Sequence, residues 1–149
     1  MKRLMIERAR KRIILADSYK LNMAEAYARK DNNISQKAID LLNELREKKF
    51  LAASYTPKTV SDFASRDELI RFIWKERRRE LCFEEAMRFW DMRRQGMPRI
   101  EHKFYSSMNT YKTFVLEAGS PNYLLPIPLS ETEYNDGVTD NPRVTVVGQ

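Results

Sequence analysis

Three arginines in a row, Arg77, Arg78 and Arg79, stand between Glu76 and Glu80 in the stretch ERRRE. Three adjacent guanidiniums could clamp a phosphate, but the flanking acids argue against it. Residues three apart on a helix are neighbours, so Glu76 can pair with Arg79 and Arg77 with Glu80. Arg77 also falls on the apolar stripe of its helix, where a guanidinium must be satisfied by a carboxylate or by backbone carbonyls. Asp91, close in sequence to Arg88 and Arg94, is the expected partner. Glu76, Arg77, Glu80, Arg88 and Asp91 are therefore expected to form a polar lock between the third and fourth helices.

No other group of residues offers catalysis. His102 is the only histidine, which rules out a histidine metal cluster, and none of GxSxG, HExxH, GxGxxG, a P-loop or CxxC occurs. Glu84 and Glu85 are adjacent, hence about 100° apart on a helix, which suits solvent better than paired acid–base work. Asn135, Asp136, Asp140 and Asn141 could offer oxygens to calcium, but their spacing fits no EF-hand loop and turn chemistry accounts for them. Cys82, between Leu81 and Phe83, reads as a buried, inert thiol. The reading is a protein without catalytic residues, cofactor or metal. Among the aromatic side chains, Tyr105 and Tyr111 are the candidates for ligand contact, since exposed rings can stack on sugar faces.

Helices must position these groups. From about Met5 to Arg29, apolar residues recur as Ile6, Ala9, Ile13, Ile14, Leu21, Ala24 and Tyr27. Ala16, Ala24, Ala26 and Ala28 would let a second helix approach closely. Residues 30–33 read as a turn, with Asn33 or Ser35 as the cap of the next helix. That helix, Ser35 to Lys49, carries Ala38, Leu41, Leu42 and Leu45 on one stripe and should form an antiparallel hairpin with the first. Phe50 to Ala64 is a connector. Ser65 or Asp67 then caps a third helix with Leu69, Ile70, Ile73, Trp74, Arg77 and Leu81 on its inner face, and Asp67 and Arg71 are spaced to pair. A fourth helix, about Glu84 to Arg94, is expected to bury Phe89, Trp90 and Met92 and to end at Gly96 before Pro98. Beyond Pro98, Lys112 to Leu116 alternates like a short strand, residues 118–122 form a turn, Tyr123 to Pro128 is extended, and Asn135-Asp136-Gly137 is another turn. The tail is expected to be irregular. The chain therefore reads as one region over residues 1–149, helical over 1–97 and extended and loop-rich over 98–149.

Composition fits this. The chain has 149 residues, 42% hydrophobic and 32% charged, enough for one domain with a real core. Its net charge of +6 would suit nucleic acid, but the signs are interleaved along helix faces, so no nucleic-acid partner is expected. One cysteine allows no internal disulfide. No run approaches the ~20 apolar residues of a membrane helix, and charges interrupt the first 19 residues too often for a secretory signal.

Four stretches, in order, resemble the C-terminal part of the SusD/RagB family. They are ADSYKLNMAEAYAR (residues 16–29), AIDLLNELREK (38–48, with Asn43 and Arg46 matching "LN..R"), ERRRELCFEEAMRFWDMRRQG (76–96), and YLLPIPLSETEYN followed by DNP (123–142). The resemblance implies a mostly α-helical fold of tetratricopeptide-like helix pairs with an irregular C-terminal segment. It implies a surface lipoprotein of the bacterial outer membrane that binds an oligosaccharide, polysaccharide or other nutrient and delivers it to a SusC-like TonB-dependent transporter, catalysing nothing. Members of that family are several times longer and carry a lipoprotein signal, so the chain is expected to be a truncated product or fragment. Helix faces left uncovered would then favour self-association, since each uncovered large apolar side chain forfeits about 1.5–3 kcal/mol of burial. Glu85 and Arg143 stand where the family often has glycine. The competing reading is a helical-repeat scaffold that binds protein partners and no sugar.

Overall fold

Ser35 and Ser65 set the frame of the helical region, because each begins a helix by accepting a hydrogen bond from the backbone N–H three residues on, at Ala38 and Glu68. The computed structural model describes residues 2–84 and 86–148, with the side chains of the first helix described from Ala16 onward. The chain divides into two units, at residues 1–84 and 85–149.

The first unit holds α1 (Lys2–Lys30), α2 (Gln36–Glu47) and α3 (Arg66–Glu80). Pairs between α1 and the α2 region run in opposite directions along the two helices: Asp17 with Lys49, Lys20 with Glu44, and the Tyr27 ring with Lys37. This is the expected antiparallel hairpin. Its core is Leu21, Ala24 and Ala28 from α1, Ala38, Ile39, Leu42 and Leu45 from α2, and Leu69, Ile70 and Ile73 from α3, closed by Phe63. Ala24 and Ala28 lie four apart on one face and are buried, whereas Ala16 and Ala26 are exposed, so only half of the expected small-residue stripe meets another helix. The side chains of Ile6, Ala9, Ile13 and Ile14, expected on the same stripe, lie outside the described residues.

The connector from Phe50 to Ala64 is tied down by one side chain. Asn43 Nδ2 donates to the Lys58 carbonyl and its Oδ1 accepts from the Lys58 N–H, both at 2.8 Å, so the amide acts as a short piece of strand. Asp67 does not meet Arg71; its nearest cation is Arg66, at 3.7 Å.

After Glu80 the sequence reading needs correction. Leu81 to Glu84 is a turn in which Phe83 takes a left-handed φ of 65°. Cys82 is consequently exposed, not buried, and Phe83 is 99% exposed. The fourth helix, α4 (Met87–Arg94), begins three residues later than expected. Trp90 is not buried either: it is 49% exposed, about 100° around the helix from Phe89. Phe89 takes the inner place and stacks on Tyr123, with centroids 6.5 Å apart and planes 24° apart. Gly96 ends α4 at φ 91° as expected. Glu85 lies outside the described residues, and Arg143 is exposed.

The rest of the second unit is β1 (Ile100–Ser107), β2 (Thr110–Leu116), a 3-10 turn at Pro121–Tyr123 and α5 (Leu129–Tyr134). β1 and α5 were not expected from sequence. β1 pairs antiparallel with β2, from Ile100 opposite Leu116 to Tyr105 opposite Tyr111, with an irregularity before Ser107–Thr110.

Candidate functional site

β-strand alternation sorts the hairpin's side chains into two faces. Ile100, His102, Phe104, Lys112, Phe114 and Leu116 share one face by register. The tail crosses this face so closely that a Cβ on Gly148 would come within 2.8 Å of Phe114 Cζ. Lys103, Tyr105, Tyr111 and Thr113 share the other face. There Tyr105 and Tyr111 stand directly opposite, their centroids 5.3 Å apart and their planes tilted by 47°. They are 57% and 47% exposed. Lys103 Nζ lies 4.5 Å from the Tyr111 centroid, a cation held against the ring by its quadrupole. Both sequence candidates for ligand contact thus meet on one open face, while His102 points from the other side of the sheet.

The residues expected to brace the helices divide between the two units. In the first, Glu76 is buried, 2.6 Å from Arg79 Nη1 and 4.0 Å from Arg46 Nε of α2. The Arg46 guanidinium lies 5.1 Å from the Phe50 ring and 5.5 Å from the Phe72 ring. Arg77, also buried, donates to Asn22 Oδ1 of α1 at 2.7 Å. Glu80 turns to Lys49 Nζ at 2.7 Å, and the same ammonium reaches Asp17 Oδ2 at 3.0 Å. Lys49 therefore ties α1 to α3, and the bonds to Glu80 and then Asp17 raise its pKa above the ordinary lysine value. In the second unit Asp91 is the one buried residue of α4 and accepts from Arg94 at 3.3 Å. Arg88 bears on Tyr123, whose pKa is raised mainly by burial and is opposed by that guanidinium.

Sequence reasoning missed two arrangements. The first is a clasp between YLLPIP and DNP. Asp140 Oδ1 accepts from the Ile127 N–H at 2.9 Å and Asn141 Nδ2 donates to the Leu125 carbonyl at 2.7 Å. Asn122 Nδ2 donates to the Val144 carbonyl at 2.6 Å, and its Oδ1 accepts from the Val144 N–H at 3.0 Å. Prolines at 126 and 128 leave this run few N–H donors of its own, so side-chain amides supply the cross-links. Of the four residues that could offer oxygens to calcium, Asp140 holds two backbone N–H groups and Asn135 Oδ1 holds that of Gly137. The second is an open cleft of about 370 Å³ lined by Trp90, Arg93, Arg94, Met97 and Leu124. Its signal was present in the sequence, since residues 90, 93 and 94 fall on one face of a helix.

The SusD family model matches residues 9–143, nearly the whole chain. The chain belongs to the SusD family. No curated protein matches it, and no solved structure does. The SusD family is one of binding proteins, not enzymes, and its members bind nutrients at the outer-membrane surface. The chain carries the family's mostly helical architecture in α1 to α3, and its YLLPIP and DNP stretches are the two sides of the Asn122, Asp140 and Asn141 clasp. Among the described residues no helix is long and apolar enough to cross a membrane, and no three His, Cys, Asp or Glu side chains gather as metal ligands.

Proposed function

We propose that this SusD-family chain binds an oligosaccharide or polysaccharide at the bacterial outer membrane, without transforming it, and passes it to a TonB-dependent transporter. The Tyr105–Tyr111 pair carries the reading. Two phenol rings kept half in solvent on a paired strand bury little for the fold, yet offer apolar faces for a pyranose and hydroxyls for its hydroxyl groups. Holding them on opposed strands fixes their spacing before a ligand arrives, which lowers the ordering cost of binding.

Calorimetric titration of the full chain with a panel of oligosaccharides tests this. Replacing both rings (Tyr105→Ala with Tyr111→Ala) should weaken binding about tenfold or more, each tenfold step being about 1.4 kcal/mol. Unchanged affinity in that variant would remove the platform from the reading. Delivery is tested by co-purification of the chain with a TonB-dependent transporter from outer membranes. The assignment of Glu76, Arg77, Glu80, Arg88 and Asp91 to a brace joining α3 and α4 rests on sequence spacing and is carried as a second proposal. A double-mutant cycle on Arg77 and Asp91 tests it, with a coupling above about 0.5 kcal/mol as the expected result.

A further inference from the structure

The cleft beside α4 is lined by both apolar groups and positive charge. Trp90 presents an indole that is 49% exposed, and Met97 and Leu124 complete the apolar lining. Arg93 and Arg94 follow at three and four residues from Trp90, on the same side of the helix. Arg94 is bonded to Asp91, but Arg93 has no carboxylate partner among the described residues; its guanidinium lies 5.9 Å from the Phe89 centroid, which steadies it without neutralising it. Arginines in a last turn ordinarily answer the negative end of a helix. Here three of the last four carbonyls of α4 already have backbone donors, since Asp91, Met92 and Arg93 accept from the N–H groups of Gln95, Met97 and Gly96. Positive charge therefore remains in the cleft. Its volume of about 370 Å³ is within the range of small-ligand sites, about 300–1,000 Å³.

We propose that this cleft binds a pyranose bearing a carboxylate, its ring against Trp90 and its carboxylate on Arg93. The sugar ring rests on the reading above, while the charge and the place rest on α4 alone. An indole face suits the C–H face of a pyranose, and a guanidinium meets a carboxylate through two parallel N–H···O bonds. Arg93 would find in the carboxylate the acidic partner that it lacks among the described residues. A neutral sugar would leave that guanidinium no better paired than water does.

The full chain is titrated with tri-galacturonate and, as the neutral probe, with maltotriose, by calorimetry and by tryptophan fluorescence. The expected result is tighter binding of the uronate by about tenfold, with a fluorescence change that is lost in Trp90→Phe while Trp74 still emits. Arg93→Gln should remove most of the preference and flatten its salt dependence, and Arg93→Lys should restore part of it. Arg93 is exposed, so a circular dichroism spectrum unchanged in Arg93→Gln certifies the fold. Equal affinity for the two sugars, or a uronate affinity unmoved by Arg93→Gln, overturns the assignment. If both sugars then bind and both weaken in the Tyr105 and Tyr111 variant, the tyrosine platform stands without the acidic site. If neither sugar binds, both readings fall.

Discussion

Of the buried hydrophobic side chains among the described residues, those from Leu21 to Leu81 lie in the first unit and Tyr123 alone lies in the second. The two units thus solve the same problem by different means. In the first, helices offer one apolar stripe each, and three stripes close on one another. In the second, a hairpin and an extended run bury little, and side-chain amides and a carboxylate hold backbone to backbone. The contrast teaches where ligand-facing groups can be placed. A surface that stability does not require to be buried can leave Trp90, Tyr105 and Tyr111 open to solvent.

The sharpest way to test that division is to open the apolar core. Ile73 is fully buried at the centre of α3. Ile73→Ala should cost about 2–5 kcal/mol, read as a lowered denaturant midpoint. Hydrogen exchange should show the loss of protection concentrated in α1 to α3. A cost under about 1 kcal/mol would mean that the first unit does not depend on its core as described.

Next come the amide clips, which both units possess. Asn43 holds Lys58 by two bonds of 2.8 Å, partly buried, and Asn122 holds Val144 by two bonds in solvent. A hydrogen bond contributes about 0.5–1.5 kcal/mol net, and stranding a buried partner costs more. Asn43→Ala should therefore cost about 1–3 kcal/mol and Asn122→Ala about 1 kcal/mol. Thermal melts give the totals, and exchange of the Lys58 and Val144 amides gives the location. If Asn122→Ala leaves the Val144 amide as protected as before, the tail is not held by the clasp. Smaller again are the caps: Ser65→Ala should cost about 1 kcal/mol through the Glu68 N–H it leaves unpaired.

The same division governs how much could be read from sequence. Helical periodicity reports burial, so α2, α3 and the stripe Leu69, Ile70, Ile73 were legible, while each cap was narrowed to two residues, of which the structure uses Ser35 and Ser65. β1 was not legible, because all but one of its residues are exposed and no alternation of apolar and polar groups marks it. Its register with β2 is visible only in the structure, so Tyr105 and Tyr111 could be named but not paired. Trp90 was misjudged for a related reason. Periodicity gives the angle between Phe89 and Trp90 but not which of the two faces the interior, and Tyr123, distant in sequence, decides it. Asn122 gave no local signal, since its partner Val144 is 22 residues away.

The mildest perturbation is acid, and it separates the units by what each loses. Asp140 is held below the ordinary aspartate range, first by the Ile127 N–H and then by that of Asn141. A carboxyl with a lowered folded pKa contributes stability that is complete above its unfolded value, about 3.9, and that fades as pH falls through the folded value. The first unit also has such groups: Glu44, lowered by its bond to Lys20, and Asp62, lowered chiefly by the Thr59 N–H. Both sit outside the apolar core, so protonating them leaves α1 to α3 packed. Asp140 has no such core behind it, and its protonation removes a cross-link between the two sides of the clasp. The Ile127 amide proton, followed by NMR from pH 7 to pH 2, should therefore titrate with a midpoint below about 3.9, and exchange across residues 122–128 should quicken below it. Asp140→Asn keeps an acceptor oxygen but cannot titrate, so its Ile127 resonance should stay flat through the same range. A wild-type midpoint at or above 3.9 would show that the Asp140 carboxylate gains nothing from the two N–H groups, and the clasp would then rest on Asn122 and Asn141 alone.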